Sequence, residues 1–158
     1  MGGLDRMSSS ERQGNSPTGN PDADALLRTD GNAIVIALLL DQQVRAEMAF
    51  EGPYKIKERL GHLDVGKIAD MDEHALRETF GQKPAVHRFY NMMAGRVKEL
   101  AQFLVNEYDS DASALWADDA DLDAVEKRVF DLPGFGAAKA GAIGHALQLF
   151  GHRRFESE

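Results

Sequence analysis

Seven apolar residues, Val86, Tyr90, Met93, Val97, Leu100, Leu104 and Tyr108, recur at steps of three or four. At 3.6 residues per turn this spacing lines one side of a long helix, whereas a strand needs alternation of period two. A stripe of that length has to be covered, and the rest of the chain offers only helices to cover it. No segment alternates strictly between apolar and polar residues, and nothing repeats at solenoid periods. The expected class is all-α. With 158 residues the chain can bury one proper core, as one compact domain or two small helical lobes.

Residues 1–20, rich in Ser, Gly and Asn, bury too little apolar surface to offset their ordering entropy. They are expected to form a disordered tail, with the helical domain spanning 21–158. Residues 21–28 read as a short helix and Asn32 as the cap of the next. Residues 33–50 read as one helix, apolar all round at first and polar at Asp41, Gln42, Gln43, Arg45 and Glu47, until Gly52 and Pro53 break it. Residues 54–60, 65–69 and 73–80 read as shorter helices, with Asp64 and Asp72 as caps. The long helix opens near Val86. Leu115, Trp116, Leu122, Val125 and Val129 place two short helices after it, and residues 136–150 read as the last. Met71, Met92, Met93, Phe103 and Trp116 are expected in the core.

The net charge of −8 works against a polyanionic partner, since phosphate binding gains from Lys and Arg that displace counterions. The acidity is local, however. Residues 109–131 hold eight acids against two bases, which leaves a weakly basic face available elsewhere. Absent cysteine removes disulfides, thiolate zinc sites, cysteine nucleophiles and cysteine-ligated iron–sulfur clusters together. The five histidines are dispersed, so no transition metal is expected. The longest apolar run, residues 33–40, would span roughly 12 Å as a helix against the ~30 Å of a bilayer core. With no basic-then-apolar start, the reading is a cytoplasmic protein with no membrane partner.

Leu132, Pro133, Gly134, Phe135 and Gly136 lie between two apolar helical segments. Two glycines leave no Cβ between backbone and ligand, so several N–H groups can converge on an anion, and both can take positive φ. The helix that follows adds its positive end. A plain helix-ending Pro-Gly turn accounts for the same residues on composition alone. A Walker loop does not, because no Gly-Lys-Ser/Thr sequence follows.

These five residues resemble the hairpin of the helix-hairpin-helix superfamily of base-excision DNA glycosylases, the HhH-GPD proteins, among them endonuclease III. Phe89 to Ala94, leading into Arg96 and Val97, resembles the helix before that hairpin. Leu39, Leu40, Asp41, Gln42 and Gln43 resemble an early helix that ends in paired glutamines. Lys83, Pro84, His87 and Arg88 strengthen the likeness to a compact, poorly characterised bacterial branch, for which the cytoplasmic reading becomes association with the nucleoid. The implied fold is an HhH glycosylase-like helical domain whose usual C-terminal helices are missing or reduced. The implied partner is duplex DNA.

An enzyme acting on a stacked base must rotate it out and fill the gap, for which a flat amide with donor and acceptor is suited. The resemblance gives Gln43 this wedge role, supported by Gln42. A helix-end glutamine pair that merely meets solvent is the plainer alternative. Leu132, Gly134, Phe135, Gly136, Ala138 and Lys139 would form the phosphate grip, with His87 and Arg88 as further backbone contacts. The hairpin is also a candidate seat for a monovalent cation, and no other cofactor is implied. Ala138 stands where bifunctional relatives carry a lysine, which disfavours a Schiff-base lyase; Lys139 would point about 100° away around the helix. Counting on without gaps puts the family's catalytic aspartate at Glu156, in a terminal stretch that reads more readily as a frayed tail. Two functions follow: a monofunctional glycosylase-like repair protein that everts a damaged base, or a lesion- or structure-sensing DNA-binding module without chemistry. A helical protein-interaction module using the acidic surface is a third.

Overall fold

The computed structural model describes residues 16–155. All regular elements among them are helical: α1 (Pro21–Thr29), α2 (Gly31–Leu40), α3 (Ala46–Leu60), α4 (Val65–Asp70), α5 (Glu73–Gly81), α6 (Tyr90–Tyr108), a 3-10 helix (Ala112–Leu115), α7 (Leu122–Phe130), α8 (Ala137–Gly141) and α9 (Ile143–Leu149). None of these helices is long and apolar enough to cross a membrane.

α2 is the axis of the molecule. From Ala33 to Leu40 every side chain is buried, because α2 touches α1, α3, α6, the 3-10 helix and α9 on its several sides. A helix without a polar face is what such a central position requires. Each Leu or Ile buried there contributes about 1.5–3 kcal/mol relative to exposure. α4 and α5 pack against α6, whose stripe of Met93, Val97, Leu100 and Leu104 closes one side of the core. α7, α8 and α9 form the C-terminal group.

Local chemistry sets most boundaries. Asp64 accepts from the Gly66 and Lys67 amides and Asp72 from the Ala75 amide, so both act as the expected N-caps. Asp30, rather than Asn32, caps α2; the Asn32 side chain instead donates to Ser110 O (3.0 Å) and accepts from the Ala112 amide (2.7 Å). Ser16, Thr18 and Asn20 are ordered ahead of α1. Thr18 donates through its amide (3.0 Å) and hydroxyl (2.7 Å) to Asp24, which is buried beneath it, while Asn20 caps the helix. The remainder of the expected tail, residues 1–15, lies outside the described residues.

Three expected helices and one expected core residue differ from expectation. Residues 33–50 do not form one helix: α2 stops at Leu40, and α3 runs from Ala46 straight through Gly52 and Pro53. A Cβ on Gly52 would approach Leu40 Cδ1 to 2.5 Å, so glycine permits α2 and α3 to touch. The same missing Cβ relieves the clash that a proline imposes on the residue before it. α6 begins at Tyr90 and not at Val86, although Val86 is buried. The Val86 amide bonds Phe80 O (2.9 Å) and the Phe89 amide bonds the His87 ring (2.9 Å), which takes this segment out of the helical ladder. The last expected helix is two, divided at Ala142. Finally, Met92 is 45% exposed and is not a core residue.

Candidate nucleic-acid interface

The C-terminal end of α2 meets the turn between α7 and α8. At Gly134 φ is +83°, and a Cβ there would lie 2.9 Å from Leu39 Cδ1. Both the backbone and the contact call for glycine. Gly136 differs from the sequence expectation: its φ is −125°, and nothing lies within 4 Å of where a Cβ would stand. Its role is an open approach to the backbone rather than a left-handed turn. The Phe135 amide donates to Leu132 O (3.1 Å) and closes the turn. Leu132 is buried, and Phe135 packs half-buried on the core. The amides of Gly134, Gly136, Ala137 and Ala138 have no protein acceptor among the described residues, and all four residues are exposed. The turn therefore presents unsatisfied donors outward, although two amides of the five-residue motif, those of Leu132 and Phe135, are bonded to Val129 O and Leu132 O.

Residues 41–45 leave α2 as a tight non-helical turn. The Asp41 amide bonds Leu38 O (3.2 Å) and the Gln42 amide bonds Leu40 O (2.8 Å). Gln42 folds back, donating from Nε2 to Leu39 O (3.1 Å) and accepting from Arg96 Nη1 (3.4 Å). Gln43 follows in the left-handed region at φ +56°, exposed, its side chain without a hydrogen-bond partner among the described residues. A non-glycine residue in that conformation costs about 1–2 kcal/mol, so the surroundings must hold it.

They do so through donors from distant elements. His87 is fully buried; its Nδ1 accepts from the Phe89 amide, which leaves the hydrogen on Nε2 to be donated to Gln42 O (3.1 Å). Burial pushes the His87 pKa below its ordinary value, against the opposing pull of the Gln42 and Leu40 carbonyls, and the ring is neutral at neutral pH. Lys139 reaches from α8 to donate its ammonium to Asp41 O (2.9 Å). Burial lowers its pKa, Asp41 opposes that shift, and Arg96 adds to it.

Two sequence readings change accordingly. His87 is no surface phosphate contact, because its ring is enclosed and both nitrogens are engaged. Lys139 holds the glutamine turn instead of extending beside the hairpin amides. Arg88 is exposed as expected, its guanidinium 5.0 Å from the centre of the Phe89 ring. Beside it Arg88, Phe89, Tyr90, Asn91 and Met92 line an open cleft of about 300 Å³. The exposure of Tyr90 was hidden in the sequence, since the apolar spacing passes through it, and that of Met92 because an apolar residue beside the stripe reads as core. Ala138 is exposed, with no amine at its position, and Glu156 lies outside the described residues. The chain just before it is docked, not frayed: Arg153 donates to Trp116 O (2.9 Å) and to Ala120 O, and His152 bonds Leu27 O (2.6 Å). Among the described residues no group of His, Asp and Glu could hold a metal ion.

The family model of HhH-GPD superfamily base excision DNA repair proteins matches residues 36–144, a stretch that begins in α2 and contains both turns. The chain belongs to this family. Among solved structures, this HhH-GPD protein is similar to a thermostable thymine-DNA glycosylase, with a TM-score of 0.54 and 20% identity. The likeness covers 79% of this chain and 50% of that one, so the chain spans about half the length of that glycosylase. At this identity the shared property is the fold. Comparison with curated proteins gives no match.

Proposed function

We propose that this HhH-GPD protein is a monofunctional, glycosylase-like repair protein that seats a DNA phosphate on the hairpin amides and inserts Gln43 where a base has been everted. The observation that carries this reading is the contact between the two turns. The exposed Gln43 and the exposed amides of Gly134, Gly136 and Ala138 belong to segments joined by Lys139 and by the packing of Gly134 on Leu39. A duplex gripped at one turn is therefore within reach of the other. Leu132 and Phe135 act by holding the hairpin shape, Gln42 and His87 by fixing the backbone that carries Gln43, and Arg88 as a second phosphate contact. A monovalent cation at the hairpin would be held by turn carbonyls such as Leu132 O, and it would supply charge against the phosphate. Without an amine at Ala138, base release would be hydrolytic, with Glu156 as the acid that the resemblance designates.

A DNA-sensing module without chemistry is the second reading. It is favoured by Arg153 and His152, which fix the approach to Glu156 near Trp116 and Leu27, at the end of α2 away from Gln43. Duplexes containing a G·T mismatch, uracil, an alkylated purine, an oxidised purine or an abasic site separate the two when read for binding and for base release. The thymine mismatch comes first, given the glycosylase whose fold is shared. Release that Glu156→Gln abolishes supports the enzyme; binding without release from any of these duplexes selects the sensor.

A further inference from the structure

Lys139 is an unusual tether. It belongs to α8, whose first amides face outward, yet its ammonium turns inward and bonds the main-chain carbonyl of Asp41, a residue 98 positions earlier. The Asp41 carboxylate favours the charged form of this ammonium, while burial and the Arg96 guanidinium oppose it. An ammonium costs more to bury than a neutral side chain, so a lysine is a poor choice if the only need is to fill space. What it provides is a donor at the end of a long arm, directed at the peptide that leads into Gln42 and Gln43. The other supports of that turn, His87 and Arg96, come from the segment before α6 and from α6 itself. Lys139 connects it to the helix that starts at the hairpin.

We propose, resting on the reading of Gln43 as a wedge, that Lys139 is a positioning residue through which anchoring of DNA at the hairpin sets the placement of Gln43. A phosphate drawn onto the amides of Gly136, Ala137 and Ala138 fixes the first turn of α8, and Lys139 lies in that turn. Its bond to Asp41 O then holds the left-handed backbone at Gln43 in register with the anchored duplex. Lys139 touches neither the sugar nor the base, so it acts through Gln43.

The test uses the full chain and a duplex carrying a tetrahydrofuran abasic analogue with a fluorescent aminopurine as its neighbour, whose emission rises when the stack is wedged open. Wild type, Lys139→Met, Lys139→Arg, Gln43→Ala and the Lys139→Met/Gln43→Ala double variant are compared for melting temperature, affinity and emission. Lys139→Met is expected to keep duplex affinity within about threefold and to lose most of the emission rise, as a wedge displaced by about an ångström would. Lys139→Arg, which keeps a donor, recovers part of the rise. In the Gln43→Ala background, Lys139→Met changes emission no further, because coupled residues are not additive. If Lys139→Met lowers the melting temperature while the emission rise persists, or if its effect adds to that of Gln43→Ala, the lysine is merely structural and the proposal falls. If Lys139→Met does not fold, Lys139→Arg carries the same decision: emission at the wild-type amplitude with shifted melting overturns the coupling. A wild-type protein that binds without any emission rise overturns the wedge reading itself, and the coupling with it.

Discussion

At the scale of single residues, a side chain's value here depends on what its backbone is asked to do. Gln43 pays a conformational cost for its place at φ +56° and makes no hydrogen bond in return among the described residues. Gln43→Gly should relieve about 1 kcal/mol of left-handed strain, partly offset by the larger entropy of glycine in the unfolded chain. The variant is expected to melt at or slightly above the wild-type temperature and yet lose the ability to wedge a duplex open. Calorimetry and the aminopurine signal, measured on one preparation, check both halves. His87 shows the opposite economy, buried and spent entirely on support. Its folded pKa lies below the ordinary 6.5, so between those two values the folded protein binds fewer protons than the unfolded chain and stability rises with pH. The contribution is complete above pH 6.5 and is lost as pH falls through the folded value. Melting temperature should therefore decline on acidification below about pH 6.5, and His87→Gln should flatten that decline. The same substitution should lower stability by about 1–3 kcal/mol at neutral pH wherever Gln42 O loses its donor.

At the scale of elements, the two hairpin glycines should separate folding from binding. Gly134→Ala forces a side chain into positive φ and against Leu39, and about 1–3 kcal/mol of stability should be lost in chemical denaturation. Gly136→Ala meets nothing and has an ordinary φ, so the fold should tolerate it within about 0.5 kcal/mol. Its methyl group would stand over the exposed amides, however, and duplex affinity measured by fluorescence anisotropy should fall. Equal loss of stability in both variants would contradict this division. The contrast also shows what the sequence could convey. Periodicity located the body of α6, residue type the caps at Asp64 and Asp72, and a five-residue motif the hairpin, because each of these rests on neighbours close in the chain. The break after Leu40 was hidden, since it carries no glycine and is stabilised by His87, Arg96 and Lys139, residues 45, 54 and 98 positions away from their acceptors. Pro53 misled for a related reason: only contact with Leu40 reveals why Gly52 precedes it. The three consecutive polar residues Asp41, Gln42 and Gln43, directly after a wholly apolar helix, were the one local trace of the break.

At the scale of the whole molecule, the net charge of −8 is reconciled with a DNA partner by where the acids sit. Residues 109–121 attach to the beginning of α2, through Asn32 to Ser110 and Ala112 and through Gly31 against Trp116. The hairpin and the glutamine turn lie at its end. A ten-residue helix separates them by roughly 14 Å at 1.5 Å per residue. Asp119 and Asp123 are exposed on the acidic side, Asp123 in the first turn of α7 and the hairpin after its last. Screening then decides whether they matter. The Debye length is about 8 Å at physiological ionic strength and about 30 Å at 0.01 M, so the field of these acids should reach the duplex only in dilute salt. Asp119→Asn/Asp123→Asn is accordingly expected to raise the association rate by about two- to fivefold at low salt, through weaker long-range repulsion, and to leave it nearly unchanged at physiological salt. Within each medium the variant should dissociate at the wild-type rate, because neither residue belongs to either turn. Stopped-flow association across a salt series measures this directly. A gain that persists undiminished at high salt would place the acids against the duplex, and the binding face would then have to be redrawn around α7.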